Sequence, residues 1–235
     1  MSAAATPGPS LRAGDEACSP GSFTPPANFN ALAPLYRWME WLSFGPFLGW
    51  CRCAFLSRLR ASRSALVLGD GDGRFTARLL GANPGLRVEA VDASAAMLRA
   101  LAWRALPHAA RLHAHCADAR AWRPLRHDYD LIVTHFFLDC LETREVLDLA
   151  LRLHAATAPA ALWVVSEFAI PQGRFGRWIA RPVVRLLYWA FGWMTHLRIR
   201  ALPNHGEALR KAGFLPLQRK QWLAGLLVSE LWQRA

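Results

Sequence analysis

The sequence is poor in the residues that build disulfide frameworks and metal centres. Its five cysteines are odd in number and scattered along the chain: Cys18, Cys51, Cys53, Cys116 and Cys140. Cys51 and Cys53 form a C-x-C rather than a C-x-x-C, and no group of histidines and cysteines has the spacing of a zinc site. We therefore expect reduced thiols, a cytoplasmic protein and chemistry that needs no metal ion.

Long apolar runs and a targeting segment are also missing. No stretch of eighteen uncharged apolar residues occurs, so the sequence predicts no membrane-spanning helix. Residues 1–28 are rich in alanine, proline, serine and glycine, with Arg12 as their only basic residue and no apolar core of a signal peptide. We expect a disordered N-terminal tail, followed by a single domain over residues 29–235.

Acidic residues are scarce relative to basic ones. The chain has 17 aspartates and glutamates against 28 lysines and arginines, which gives a formal net charge of +11. Such a balance suits nucleic acid, anionic lipid or acidic ligands as partners, and it equally suits a chain from an arginine-rich proteome. The charge alone does not choose among these.

A glycine-rich turn, Gly69-Asp-Gly-Asp-Gly73, ends the first apolar strand, and a helical pattern follows at once. Such a turn lets the backbone approach a ligand closely, and the helix N-terminus offers free N–H groups beside it. Asp92 ends the next apolar strand, nineteen residues past Gly73, where a carboxylate binds the hydroxyls of a ribose. The pattern predicts a nucleoside-cofactor site. The structural alternative is a tight turn, with Asp92 capping the helix that Ser94 opens.

Strands and helices alternate along the chain, which predicts an α/β fold with a doubly wound, mostly parallel sheet. The predicted strands are Ala65–Gly69, Leu86–Asp92, Arg111–Ala117, Tyr129–His135 and Ala161–Phe168, and the helices between them are Arg74–Leu80, Ala95–Ala105 and Glu142–Ala158. After a helix at Asn204–Ala212, the strands Phe214–Gln221 and Gly225–Gln233 predict a terminal β-hairpin with a Leu-Ala-Gly turn. The sheet is expected to have seven strands.

The glycine spacing also bears on the cofactor. In the dinucleotide fingerprint G-x-G-x-x-G, Arg74 holds the place of the third glycine, which argues against NAD. With this spacing, the five strands and the terminal hairpin, residues 65–235 resemble the class I S-adenosylmethionine-dependent methyltransferases. Within that family the chain is most similar to the ubiquinone/menaquinone-type small-molecule methyltransferases, whose opening helix has the pattern F-x-x-x-A-x-x-Y that Phe29–Tyr36 also has.

The resemblance implies a Rossmann-like methyltransferase fold, with S-adenosylmethionine as the cofactor. In the family the glycines lie under the methionine part of the cofactor, the acid at Asp92 binds the ribose hydroxyls, and the acid at Asp118 accepts from the adenine amino group. The cofactor-binding positions implied in this way are Tyr36, Gly69, Asp70, Gly71, Gly73, Asp92, Ala93, Met97, Asp118, Ala119 and His135. No metal ligand is among them.

One position departs from the family pattern. The family has an acid two residues before the first glycine, where this chain has Val67. Asp70 and Asp72, inside the turn, are unusual and are expected to supply the missing charge.

Methyl transfer from a sulfonium is a displacement, so a base is needed only when the acceptor loses a proton. Candidate bases belong at the carboxyl ends of strands: His135 ends strand four, Asp139 follows it, and Glu167 lies near the end of strand five. We expect His135 to be the base, because its ordinary pKa lies near neutrality. The structural alternatives are a hydrogen-bonded core histidine, Asp139 as a cap of the next helix, and Glu167 as a buried partner for an arginine.

Two aromatic helical segments, residues 29–59 and 171–200, interrupt the alternation of strands and helices. We expect them to form a helical cap whose apolar walls bind a hydrophobic acceptor, ordinary packing on the sheet being the alternative. The second segment alternates arginines with tryptophan and apolar residues, as on a helix that lies in a lipid interface. Peripheral membrane contact is therefore a third hypothesis.

The leading interpretation is methyl transfer to an oxygen or carbon atom of a small, apolar or aromatic acceptor. A nucleic-acid methyltransferase is one rival, favoured by the charge. However, strand four continues as Asp130-Leu-Ile-Val-Thr-His-Phe-Phe137 and lacks the Asn/Asp-Pro-Pro-Tyr/Phe pattern of base-amino methyltransferases. A second rival, prompted by Val67, is a non-catalytic cofactor-binding or scaffold protein.

Overall fold

A seven-stranded sheet forms the centre of the molecule. The computed structural model describes residues 46–171, 173–174, 176–182 (177 and 179 in their backbone only), 184 and 202–235. The strands are β1 (Ser64–Leu68), β2 (Arg87–Asp92), β3 (Leu112–Cys116), β4 (Tyr129–His135), β5 (Thr157–Phe168), β6 (Phe214–Trp222) and β7 (Leu227–Arg234). Their order in the sheet is β3-β2-β1-β4-β5-β7-β6. The first five pair in parallel, and β7 runs antiparallel between β5 and β6. The predicted fold, a mostly parallel α/β sheet that closes on a C-terminal hairpin, is confirmed.

Five helices are described: α1 (Phe47–Arg52), α2 (Arg74–Ala82), α3 (Ala95–Arg104), α4 (Thr143–Ala156) and α5 (His205–Lys211). Helix α4 buries Val146, Leu149 and Leu153, at the spacing of one helical face. It begins with a capping box in which Glu142 and Glu145 bond each other's backbone amides. The expectation that Asp139 caps this helix is therefore wrong, and Asp139 instead lies in a short 3₁₀ turn, Leu138–Cys140.

Two of the element boundaries that differ from the sequence prediction have a clear physical cause. Helix α4 ends at Ala156 and β5 begins at Thr157, whereas the prediction extends the helix to Ala158. The cause is Pro159, because a proline forces the residue before it out of the helical region. At the other end, β7 begins at Leu227 rather than at Gly225, because residues 223–225 all have positive φ and form the turn of the hairpin.

The sheet separates two apolar clusters. On one face α4 and α5 pack against Leu66, Ile132 and Trp163, and on the other face α2 and α3 pack against Val67 and Val133. This arrangement follows from the alternation of side chains along a strand. Buried strand residues on both faces explain why β1 and the centre of β4, residues 131–133, read as continuous apolar runs.

A third apolar cluster lies at the carboxyl edge of the sheet. It combines Leu48 and Cys51 of α1 with Ala180 and Val184, and with Leu226 and Leu227 at the start of β7. Phe136, which follows β4, and Phe168, at the end of β5, pack against it. We call this group the edge cluster.

The predicted N-terminal tail and most of the predicted helical cap lie outside the described residues. Of the first cap segment, α1 and the turn Leu56–Leu59 are described, and of the second, residues 171, 173–174, 176–182 and 184. In the part of the chain that the structure describes, no helix is both long enough and apolar enough to cross a membrane.

Candidate functional site

The glycine turn joins β1 to α2 with left-handed backbone at each glycine. Gly69, Gly71 and Gly73 have φ values of +67°, +61° and +76°, a region that side-chain-bearing residues rarely adopt. A methyl group on Gly73 would lie 2.6 Å from the side chain of Leu101, because α3 packs directly against the turn. A methyl group on Gly69 would overlap the ring of Phe137. The turn is therefore fixed by neighbours on both of its sides.

The two aspartates inside the turn have different partners. Asp70 is buried and accepts hydrogen bonds from the backbone N–H and the hydroxyl of Thr76, at 2.9 and 2.6 Å, so it holds the first turn of α2. Burial raises its pKa to about 6, although the bonds from Thr76 oppose the shift. Asp72 pairs with Arg74 at 3.0 Å and with Arg104 at 2.9 Å. Val67, the position that departs from the family, is 1% exposed in the core.

Asp92 lies beside the glycine turn at the end of β2. Its Oδ1 accepts the backbone N–H of Ser94 at 2.8 Å, and a backbone hydrogen bond from Gly71 also reaches its carboxylate. Burial raises the pKa of Asp92 to about 6, and the charge of Asp70 acts in the same direction. The N-cap of α3 is Ser94 itself, which accepts from the backbone N–H of Met97. The carboxylate of Asp92 is thus held next to the turn without being the helix cap.

We call the region at the carboxyl ends of β1 to β5, which includes the glycine turn, the crevice. Residues around Asp92 and β3 lie on one side of it. Ala93 is exposed and Met97 is half-buried, with its sulfur 4.0 Å from the Cβ position of Gly71. Asp118 follows β3 and accepts three hydrogen bonds from the guanidinium of Arg120, at 2.6 to 3.0 Å. Burial acts to raise the pKa of Asp118, but the hydrogen bonds from Arg120 lower that pKa below its ordinary value. Ala119 is buried next to it.

His135 ends β4 and is 3% exposed. Its ring packs edge-on against Phe75 of α2, with the centroids 4.4 Å apart. Among the described residues, neither ring nitrogen has a hydrogen-bond partner. Burial, together with the charge of Arg52, holds the pKa of His135 well below its usual value. The imidazole is therefore neutral at physiological pH and a weaker base than a free histidine.

Glu167, at the end of β5, is 1% exposed. Its Oε1 accepts the backbone N–H groups of Phe137 and Leu138, at 3.3 and 2.8 Å. Burial and the nearby charge of Asp139 raise the pKa of Glu167 well above its usual value. The sequence suggested an arginine as the buried partner of Glu167. Among the described residues, the partners of Glu167 are backbone amides instead. Its Oε2 has no hydrogen-bond partner among those residues.

The acids at or just after the ends of β2, β4 and β5 all raise the pKa of one cysteine, Cys140. Cys140 is half-buried, and the charges of Asp139, Glu167 and Asp92 add to the effect of desolvation in raising its pKa well above the usual value. The structure thus brings the predicted bases Asp139 and Glu167 within electrostatic reach of the predicted ribose-binding acid. Such a thiol is a poor nucleophile. Within the described ranges, no group of acids, histidines and cysteines has the arrangement of a metal site.

Sequence reasoning missed Arg52, the last residue of α1. Its guanidinium carbon lies 5.4 Å from the ring centroid of Phe136, and its charge lowers the pKa values of both Asp70 and His135. No local pattern marks this arginine, because α1 is placed by distant contacts. The Cys51 thiol donates to the carbonyl of Val228 at 3.3 Å, and the hydroxyl of Ser166 donates to the carbonyl of Cys51 at 3.4 Å. Tyr36, which the sequence predicted as a cofactor-binding residue of the opening helix, lies outside the described residues.

Comparison with known proteins shows which kind of domain this part of the chain resembles. Residues 66–162, which include the glycine turn, Asp92, Asp118 and the end of β4, match the family model of the methyltransferase domain. This part of the chain is therefore similar to a methyltransferase domain. S-adenosylmethionine is accordingly its cofactor, as the sequence predicts. The residues there fit that molecule: a close-approach turn follows β1, and carboxylates that can accept from hydroxyl and amino groups stand at the ends of the neighbouring strands β2 and β3.

Solved structures of methyltransferases share the fold of this chain. A proposed O-methyltransferase from Nostoc punctiforme superposes with a TM-score of 0.67 at 18% identity, over 86% of this chain and 59% of that one. Mitomycin 7-O-methyltransferase gives 0.64 at 21% identity, over 87% and 60%. The N-methyltransferase NodS from Bradyrhizobium japonicum, solved with S-adenosylhomocysteine, gives 0.59 at 15% identity, over 82% and 88%. The chain therefore spans about three fifths of the two O-methyltransferases. A search of the curated proteins found no match.

Proposed function

We propose that this protein transfers the methyl group of S-adenosylmethionine to an oxygen or carbon atom of a small acceptor with an apolar or aromatic body. The observation that carries the proposal is the edge cluster, in which Phe136 directly follows β4, Phe168 ends β5 and Leu226 directly precedes β7. Apolar walls with a few fixed polar groups are typical of small-molecule sites. The resemblance to ubiquinone/menaquinone-type enzymes and the names of two structural neighbours agree with this acceptor class.

The cofactor residues are proposed as follows. The glycine turn lies under the methionine part, the carboxylate of Asp92 binds the ribose hydroxyls, and Asp118 accepts from the adenine amino group. Ala93, Met97 and Ala119 form the apolar surroundings of the adenine. Because the pKa of Asp92 is about 6, its carboxylate is ionised at pH 7 and able to accept both hydroxyls.

Arg52 is proposed to bind the carboxylate of the methionine part. It is a cation at the carboxyl edge, close enough to Asp70 and His135 to lower the pKa values of both. A guanidinium matches a carboxylate in charge and in hydrogen-bond geometry. Its position over Phe136 also places it next to the acceptor wall.

When bound, the cofactor supplies an electrophilic methyl group on a sulfonium. The protein then has to align the acceptor with that methyl group and exclude water, which is mostly a matter of position. The edge cluster orients the apolar body of the acceptor. The buried strand ends keep water from the reacting atoms.

For an acceptor that must lose a proton, the pair Asp139 and Glu167 is the better base. Burial and the charge of Asp139 raise the pKa of Glu167, so the ionised form of Glu167 is more basic than a free carboxylate. His135 was the base expected from sequence, but its depressed pKa makes it a poor proton acceptor. We propose that His135 orients the acceptor through a hydrogen bond from its neutral ring.

The test is methyl transfer from labelled S-adenosylmethionine to a panel of phenols, quinols and lipids, with DNA and RNA as comparison substrates. Methylated phenols or quinols, identified by mass spectrometry, support the proposal. Label transferred to nucleic acid alone would favour the nucleic-acid methyltransferase. Cofactor binding with no transfer to any member would favour a non-catalytic protein.

A further inference from the structure

The positive charge of this chain is concentrated in two stretches of the sequence. Between Glu167 and Glu207 the sequence has six arginines and no acidic residue, although the chain has 17 acidic residues. Between Glu40 and Asp70 it has four arginines and again no acidic residue. These two stretches contain neither lysine nor acid, so they account for ten of the net eleven positive charges.

Both stretches contribute residues to the edge cluster. Leu48 and Cys51 of α1 come from the first stretch, and Ala180 and Val184 from the second, and all four belong to the same cluster. Leu226 and Leu227 of the hairpin complete it. The described parts of the two stretches therefore pack together in the edge cluster, which is the proposed acceptor wall.

Both stretches also expose a tryptophan, and the second exposes arginines on either side of it in the sequence. Trp50 of α1 is 55% exposed and packs edge-on against Phe47, with the ring centroids 5.1 Å apart. Trp178 is 73% exposed, on the helical turn Gly176–Ala180 whose Gly176 and Ala180 are buried. Arg174 and Arg181 flank it and are exposed. We call Trp50, Arg174, Trp178 and Arg181 the tryptophan–arginine surface.

We propose that the tryptophan–arginine surface docks the protein on an anionic phospholipid bilayer. Tryptophan rings favour the boundary between headgroups and acyl chains, and arginines favour the negative surface of such a membrane. The absence of acidic side chains from both stretches of sequence removes the repulsion that such a surface would otherwise meet. Nucleic acid offers the same negative charge, but it has no apolar layer to receive tryptophan side chains that point away from the protein.

This inference does not depend on the methyl-transfer proposal, because lipid binding is measured without turnover. It does give that proposal a physical route. A lipid-soluble acceptor would reach the edge cluster from the bilayer without passing through water.

The experiment is co-sedimentation of the full chain with vesicles of phosphatidylcholine alone or of phosphatidylcholine with phosphatidylglycerol. We expect binding to the anionic vesicles that weakens as salt is added, and little binding to the neutral ones. Arg174→Gln/Arg181→Gln should lower the partition coefficient roughly thirtyfold, from about 1 kcal/mol for each basic residue near the surface. Trp178→Ala should lower it severalfold.

Matched controls lie elsewhere on the surface. Arg87→Gln/Arg123→Gln removes the same charge from two exposed positions outside both stretches, and Trp103→Ala removes a tryptophan of α3 that is 74% exposed. Both control variants should bind vesicles like the unmodified protein. Unchanged S-adenosylhomocysteine affinity shows that each variant is folded.

Three results would overturn the proposal. One is the absence of binding to anionic vesicles at low salt. Another is equal loss in the control and test variants, which would make the attraction a property of net charge alone. The third is tight, salt-sensitive binding to duplex DNA or RNA with no vesicle binding, which would assign the charge to nucleic acid.

Discussion

The cofactor side and the acceptor side of the crevice are built in different ways. The cofactor side is the glycine turn with the ends of β1, β2 and β3, and its key contacts are short in sequence: Asp70 to Thr76, Asp92 to Ser94, Asp118 to Arg120. The acceptor side is the ends of β4 and β5 with α1 and the edge cluster. There, Cys51 contacts Val228 across 177 residues and Ser166 across 115.

This contrast indicates which part of the site can vary. Short-range contacts are fixed by a local sequence pattern, so the cofactor side keeps the geometry that a common cofactor demands. Long-range contacts depend on how whole elements pack, so the acceptor side changes whenever a helix or loop is exchanged. Substitutions on each side can test whether the two are separable.

The largest effect is expected within the cofactor side. Gly73→Ala would place a methyl group 2.6 Å from the side chain and 2.7 Å from the Cα of Leu101, at a φ of +76°, and should lower the free energy of unfolding by about 3 kcal/mol. Gly71→Ala has a similar φ but open space, and should cost about 1 kcal/mol. Urea titration measures both. Equal losses would show that packing against α3 does not fix the turn.

Glu167→Gln should separate the two sides most clearly. The glutamine oxygen can still accept the amides of Phe137 and Leu138, but the side chain can no longer take a proton. With a phenolic acceptor we expect kcat to fall about a hundredfold and the affinity for S-adenosylhomocysteine to stay unchanged. Asp92→Asn should do the reverse and weaken cofactor binding first. If Glu167→Gln lost cofactor affinity instead, the assignment of Glu167 to the acceptor side would be wrong.

Arg52 tests whether the acceptor side contributes to the cofactor. Arg52→Gln should weaken the binding of S-adenosylhomocysteine at least about tenfold, since a charge-assisted hydrogen bond contributes about 1.5–3 kcal/mol. The affinity for methylthioadenosine, which has the nucleoside but no amino-acid part, should not change. Equal losses for both ligands would show that Arg52 only supports the fold.

A smaller effect concerns pH and stability. The pKa of Asp92 is about 6 in the folded protein, above its ordinary value of 3.8, so its contribution to stability is lost as the pH rises through 6. Relative to the unmodified protein, Asp92→Asn should therefore gain about 1 kcal/mol between pH 5 and pH 7. The pKa of His135 is lowered in the folded protein, so His135 destabilises the fold as the pH falls below 6.5. Relative to the unmodified protein, His135→Asn should therefore gain stability as the pH falls from 7 to 5. Urea titrations at both pH values measure these differences, and slopes of the same sign would contradict the two shifts.

Much of the fold could be predicted from the sequence. The apolar runs of β1 and β4, the glycine turn and the final hairpin are local patterns, and they predicted the order of elements. The start of β5 was missed because the helical periodicity of α4 runs on past Ala156, and only the effect of Pro159 on the residue before it ends the helix.

The site was predictable only in part, for a physical reason. Asp92 and Asp118 stand at strand ends, which local patterns mark. The partners of Glu167, the burial of His135 and the position of Arg52 depend on packing between elements far apart in the chain. Sequence reasoning assigned His135 the ordinary pKa of histidine, whereas its burial and the charge of Arg52 lower it.

The most direct test of the cofactor site is calorimetric titration with S-adenosylmethionine and, separately, with NADH. We predict micromolar binding of S-adenosylmethionine, no binding of NADH, and loss of S-adenosylmethionine binding in Asp92→Ala but not in Asp148→Ala, an exposed acid of α4. Binding of NADH, or S-adenosylmethionine affinity that is the same in Asp92→Ala as in the unmodified protein, would contradict the assignment of this crevice to S-adenosylmethionine.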